Sequence, residues 1–250
     1  GMIVMADHSS QSAPATRGAC LSLHTILSVV SGVAAYQTAF LSTVEKIDLI
    51  ANDLIFTIGS SSLLNCIDKI SEKDWLTDDW KMALAEWAHP ERLRSMQYDR
   101  GDGDLLHTLC HMDLWTNNIL FAQAHNELAL LAVVDWQDAA VGNPLLDIAS
   151  VIGLNMDPSE RRAHEPEILQ HYIDAIEEKR HTFRKEFPIG TVEQLLPSYR
   201  RALRFAALQL VTQLGYRPEE DVVEEATADC RGKEKLGIYS ARLNAILEDI

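Results

Sequence analysis

Two stretches bring together side chains able to do chemistry: His111, Asp113 and Asn118 in HTLCHMDLWTNNILF, then Asp135 and Asp147 in VVDWQDAAVGNPLLDIAS. Asp113 and Asn118 are five positions apart on a segment that enters the apolar run Ile119 to Phe121, and Asp135 closes the run Leu128 to Val134. Joined by the polar AQAHNE, the two runs read as a hairpin. If they pair antiparallel, the turn lies at one end and Asn118 meets Asp135 at the other. A carboxylate and an amide oxygen from adjacent strand ends, with phosphate oxygens completing the shell, suit Mg²⁺, a hard cation that keeps few protein contacts. Asp113 would then sit beside the ion, where it could accept a proton from an attacking hydroxyl or orient it.

The elements that must position these residues are mostly helical. GMIVMADHSS begins with the apolar run Met2 to Met5 and turns polar at Asp7, which suits a buried strand ending in a loop. Helical patterns follow over roughly 21–42 and 44–71. Thr77 can cap a helix that carries Trp80, Leu84 and Trp87 on one face. After the hairpin, Asn143 followed by Pro144 starts a helix that runs to about Gly153, and Asp157 with Pro158 starts another bearing Leu169, Tyr172, Ile173 and Ile176 on one side. Thr191 and Gln194 form a capping box for a helix ending at Gly215, and a last helix fills the C-terminus.

Composition excludes several classes. With 250 residues, 47% hydrophobic and 24% charged, the chain can bury a full core without disulfides or metal. Cys20, Cys66, Cys110 and Cys230 form no Cys-x-x-Cys pair, which argues for a reducing, cytoplasmic setting and against a structural zinc site. A net charge of −15 disfavours nucleic acid and anionic lipid as partners and weakly favours a cationic substrate. Between Arg17 and Glu45 no Asp, Glu, Lys or Arg occurs, yet the segment carries several hydroxyl and amide side chains and no Trp or basic anchors at its ends. It reads as a buried helix, not a membrane span. The first residues also lack the pattern of a signal peptide. The aromatic residues at helical positions, Trp80, Trp87, Tyr98, Tyr172, Tyr199 and Tyr216, read as core packing, and Arg200, Arg201 and Arg204 as a solvated face.

A His-x-Asp loop, an Asn five residues after the Asp and a metal-binding Asp at the end of the next hairpin are parts of a kinase site. HMDLWTNNILF followed by VVDWQDAAVGNPLLDIA resembles phosphotransferases of the aminoglycoside and choline kinase type, and most of all the ecdysteroid-kinase-like, or CHK kinase-like, branch. The resemblance is specific over residues 107–150 and looser in the helical flanks. It implies an α+β, protein-kinase-like fold, with a helical large lobe over 15–250 and a strand and hinge remnant of the small lobe over 1–14. It further implies transfer of the ATP γ-phosphate to a hydroxyl of a small molecule, cationic or steroid-like. Asp113 would be the catalytic Asp and His111 the brace of its loop. Asn118 and Asp135 would hold Mg²⁺, Asp147 would fix the loop from the following helix, and backbone groups of Met5, Ala6 and Asp7 would meet the adenine.

The sequence departs from that pattern in two places. Met112 stands where the family has glycine, a strained choice if the backbone there needs a positive φ. In residues 1–100 no glycine-rich loop appears, and the first lysine, Lys46, lies in a helical pattern and not after a strand. The alternative reading is therefore a pseudokinase or truncated product that binds a ligand or a protein without catalysis.

Overall fold

The structure, a computed structural model, describes residues 20–41, 60–99, 105–124, 127–183, 189–215 and 231–250. The hinge residues Met5, Ala6 and Asp7, the whole 1–14 segment, Lys46 and Tyr216 lie outside the described residues. Within them the fold is α+β and mostly helical, as expected.

Helix α1 (Leu23–Leu41) buries Ile26, Val29, Val30, Val33 and Ala34, the three- and four-residue spacing of a single helical stripe. It is a packed helix: it lies against the hairpin and the long helix α6 described below, and no helix among the described residues is long and apolar enough to cross a membrane. Next come α2 (Ser60–Ser71), α3 (Asp78–Trp87) and α4 (Pro90–Gln97). Thr77 caps α3 through its side chain, which accepts from Trp80 N at 3.3 Å. His89 caps α4 with Pro90 in its first turn, a helix beyond those expected from the hydrophobic pattern.

Four short strands follow: β1 (Thr108–Cys110), β2 (Ile119–Ala124), β3 (Glu127–Val133) and β4 (Ala140–Gly142). The expected hairpin is β2–β3, antiparallel from Ile119↔Val133 to Ala124↔Glu127. Most of the polar AQAHNE therefore belongs to the ladder rather than to a loop. A register shift between Leu120 and Phe121 adds one residue, Leu131, on the β3 side. The second pair, β1–β4, matches Thr108 to Gly142 and Cys110 to Ala140. It closes the segment 111–139 into a loop whose two ends are hydrogen-bonded together. Helix α1 also covers the hairpin: Ser28 Oγ accepts from Leu130 N at 2.9 Å, which satisfies a donor at a strand edge.

Helix α5 (Leu145–Asn155) is buried along its whole length, so its one acidic residue, Asp147, is in the core. Asn143 opens it as expected, its Oδ1 accepting from Leu145 N at 2.9 Å, and the helix runs two residues past Gly153. Helix α6 (Pro158–Phe183) is capped by Asp157 and buries Leu169, Tyr172, Ile173 and Ile176 together. Helices α7 (Val192–Gly215) and α8 (Arg231–Asp249) complete the body. On α7 the expected solvated arginines are instead partnered: Arg200 pairs with Glu165 at 3.0 Å and Arg201 with Asp99 at 2.8 Å, because acidic residues on neighbouring segments face them.

Gly142 shows how tight the β1–β4 corner is. A Cβ there would fall 2.9 Å from Gln97 O and 3.4 Å from Met112 Cε, and the first is backbone that cannot swing aside. Gly142→Ala is expected to cost about 1–3 kcal/mol by overpacking, measured as a lowered midpoint of urea unfolding with an unchanged slope.

Candidate active site

Asp147 is where the pieces meet. Its Oδ2 accepts from His111 N at 2.8 Å and its Oδ1 from Met112 N at 2.9 Å. Tyr36 on α1 donates its hydroxyl to the same Oδ2 at 2.5 Å. A fully buried carboxylate thus ties α1, α5 and the 111–115 loop together. Burial raises the pKa of Asp147, and the hydrogen bonds from Tyr36, Met112 and His111 pull against that rise. Burial, with the Asp147 charge beside it, raises the Tyr36 phenol well above its ordinary value, so the phenol stays a donor.

The carboxylate holds the backbone of the loop. Two successive N–H groups converge on it, and the second belongs to Met112, which has φ 69°, a left-handed conformation that costs a side-chain-bearing residue energy. Met112 is also buried, and its carbonyl accepts from Gln209 Nε2 at 2.8 Å. Gln209 is held in turn by Ser150 on α5 at 2.6 Å. The position at which the resemblance has glycine does require positive φ, and here it is filled by a packed methionine.

His111 joins the loop to the hairpin. Its Nδ1 accepts from Asp113 N at 3.2 Å and its Nε2 donates to Val134 O at 2.8 Å, a pattern that the Nε2–H tautomer satisfies. Its ring meets Trp136 edge-on at 4.7 Å, and Trp136 meets Tyr36 in the same way at 5.0 Å. Asp113 is hydrogen-bonded to Asn118, whose Nδ2 donates to Asp113 Oδ2 at 2.7 Å and to Asp113 O at 2.9 Å. The expected convergence at the open end of the hairpin is present. Val134 N donates to Asn118 O at 3.0 Å, and Asp135 follows directly.

Asp135 is exposed and left-handed, with φ 63° and ψ 62°. Met112 and Asp135 are the two non-glycine residues with positive φ among the described residues, and both belong to this loop and hairpin. Asp138, three residues on, adds a third carboxylate. Burial raises the pKa of Asp113, Asp138 raises it further, and the Asn118 hydrogen bond and His111 oppose this. Burial and then the Asp135 charge raise Asp138. The like charges that raise Asp113 and Asp138 are relieved by a cation. The hard oxygen donors of Asp135 and Asn118 fit Mg²⁺, since the Asn118 nitrogen faces Asp113 and its oxygen is left for another partner. Among the described residues no three His, Cys, Asp or Glu side chains form a metal cage.

Tyr36, Gln209 and Asp138 escape a sequence reading. Tyr36 lies 111 positions from Asp147 inside an apolar helix, where an aromatic residue signals only packing. Asp138 alone carried a signal, as a carboxylate three residues beyond Asp135.

Asp147→Ala leaves two buried N–H groups without an acceptor, each worth about 1–3 kcal/mol, and is expected to destabilise the protein by at least about 3 kcal/mol. Tyr36→Phe removes one hydrogen bond and is expected to cost about 1 kcal/mol. In the double variant that second cost should vanish, a non-additivity measurable by urea unfolding.

No curated protein matches the chain. Choline kinase LicA from Streptococcus pneumoniae superposes with a TM-score of 0.40 at 12% identity, over 90% of this chain and 64% of its own. An ethanolamine kinase from Plasmodium vivax superposes with a TM-score of 0.41 at 16% identity, over 93% of this chain and 63% of its own. The chain spans less than two thirds of the length of either. Residues 103–250, more than half of the chain, match the family DUF1679, described as "Uncharacterized oxidoreductase dhs-27", and the chain belongs to that family.

Proposed function

We propose that the site belongs to a kinase-like phosphotransferase of the CHK kinase-like type, which moves the γ-phosphate of ATP to a hydroxyl of a small organic molecule. One observation carries this reading: a buried carboxylate, Asp147, holds the two N–H groups just before Asp113, while the hairpin brings Asn118 and Asp135 to the same end. Asp113 orients the acceptor hydroxyl and takes its proton, a task for which a carboxylate with a raised pKa is suited. Asn118 fixes the rotamer of Asp113 through its amide nitrogen and offers its oxygen, with Asp135, to Mg²⁺. Bound there, Mg²⁺ would neutralise charge developing on the phosphate oxygens. His111 keeps the loop and the end of β3 in register, and backbone groups of Met5, Ala6 and Asp7 receive the adenine. The acidic cluster and the net charge of −15 favour a cationic alcohol over a steroid-like one.

One observation favours the second reading, a binding module without catalysis: a buried Met112 side chain at the left-handed loop position. No observation at the site favours the redox activity named in the family's description.

Thermal unfolding with and without Mg-ATP tests both readings. A hundredfold excess over Kd should add about 2.7 kcal/mol of stability. A shift together with phosphorylated product from a panel of amino alcohols and sterols supports the kinase. A shift without turnover supports the binding module, and no shift at millimolar Mg-ATP removes both nucleotide readings. For an active chain, Asp113→Asn should lower kcat by about 10²–10⁴. The acid limb of the wild-type rate profile should lie above the ordinary value of an aspartate, because Asp113 must lose a proton that burial makes it hold more tightly.

A further inference from the structure

A concavity of about 320 Å³ opens between α3, α4 and α7 and shares no residue with the candidate active site. Three arginines (Arg92, Arg201, Arg204), two carboxylates (Glu86, Asp99) and the apolar Trp87 and Met96 line it. Three guanidiniums therefore face one cleft in a protein whose net charge of −15 would otherwise repel anions. Two of them are matched. Arg92 pairs with Glu86 at 2.7 Å. Arg201 pairs with Asp99 at 2.8 Å, and Asp99 Oδ2 also accepts from Ser198 Oγ at 2.9 Å.

Arg204 differs from both. Its guanidinium carbon stands over the ring of Trp87, which is itself buried, 5.4 Å from the centroid, so the head group meets an aromatic face and not a carboxylate. Its Nε is buried and has no hydrogen-bond partner among the described residues. A buried donor without an acceptor is rare in folded proteins because it loses water and gains nothing in return. Arg201 and Arg204 lie three positions apart on α7, so their side chains share one face and approach the cleft together. A planar guanidinium next to two others presents a fork of donors matched to the paired oxygens of a carboxylate or a phosphate.

We propose that this cleft is a binding site for a small oxyanion, phosphate or carboxylate, whose oxygens accept from the guanidinium of Arg204 and are steadied by Arg92 and Arg201. Trp87 and Met96 supply an apolar wall for whatever body carries the anionic group.

The test is titration calorimetry on the full chain at fixed pH and constant ionic strength, with orthophosphate and benzoate as separate probes. The expected result is one saturable site for at least one probe, and the tighter of the two identifies the oxyanion chemistry. Arg204→Met should weaken that binding at least tenfold, and Arg204→Lys, which keeps the charge but not the fork, should weaken it severalfold. Asp113→Asn, at the other site, should leave it unchanged. If Arg204→Met does not fold, Arg204→Lys and the rim variant Arg92→Gln, each expected to weaken binding, take its place. The proposal is overturned if neither probe binds saturably at tens of millimolar, or if the folded arginine variants bind as the wild type does.

Discussion

The fold turns on a carboxylate that has no water. Asp147 sits in a helix with no exposed residue, and burying an ionised group there is tolerable because three donors point at it. Those donors come from places far apart in sequence: Tyr36 on α1 and the backbone of His111 and Met112 after β1. Each would be an orphan without Asp147, and Asp147 would be an uncompensated charge without them. This mutual dependence fixes the position of the 111–115 loop relative to the helical core more tightly than apolar packing could, since hydrogen bonds have direction and apolar contacts do not.

From that anchor the constraint runs outward. Directly after the two consecutive N–H groups that reach the carboxylate, the loop takes a left-handed turn at Met112, and the strain is held there by Gln209 from α7 and by the β1–β4 pair that closes the loop. His111 then passes the register to Val134, and the next residue is Asp135, the second left-handed position. Strain collected at two neighbouring places in one site, the one at Met112 held by surrounding contacts, is the mark of a preorganised polar site.

Much of this was legible in the residues, for identifiable reasons. Asn143 and Asp157 announce helices because a short polar side chain before a first-turn proline has few other uses, and both cap as expected. The hairpin was legible in its two apolar runs, which place Asn118 beside the end of β3 once the strands pair. The β1–β4 pair was not legible, since three-residue strands are too short to show a period. The arginines of α7 look solvated in the sequence because their partners are remote. Asp99 lies 102 positions before Arg201, and Glu165 belongs to another helix than Arg200, and a run of like charge on a helix says nothing about what faces it. The left-handed turn was foreseen only as a condition on Met112, and the observed φ of 69° decides it.

The charges at the site act on stability in a sense opposite to those at the C-terminal end of the body. Asp113, Asp138 and Asp147 have raised pKa values, so the folded state binds their protons more tightly than the unfolded chain does. Ionising them at neutral pH costs stability, which is recovered as pH falls through their folded values. Asp249 runs the other way. Burial alone would raise it, but hydrogen bonds from Arg162 and Arg161 bring it below its ordinary value, so its contribution is present above the unfolded value and lost as pH falls through the folded one. The Asp249 cluster is thus ion-paired for stability at neutral pH. The candidate site keeps carboxylates at a cost that a proton or a cation relieves, and a fold retains such a cost where the charge itself is needed.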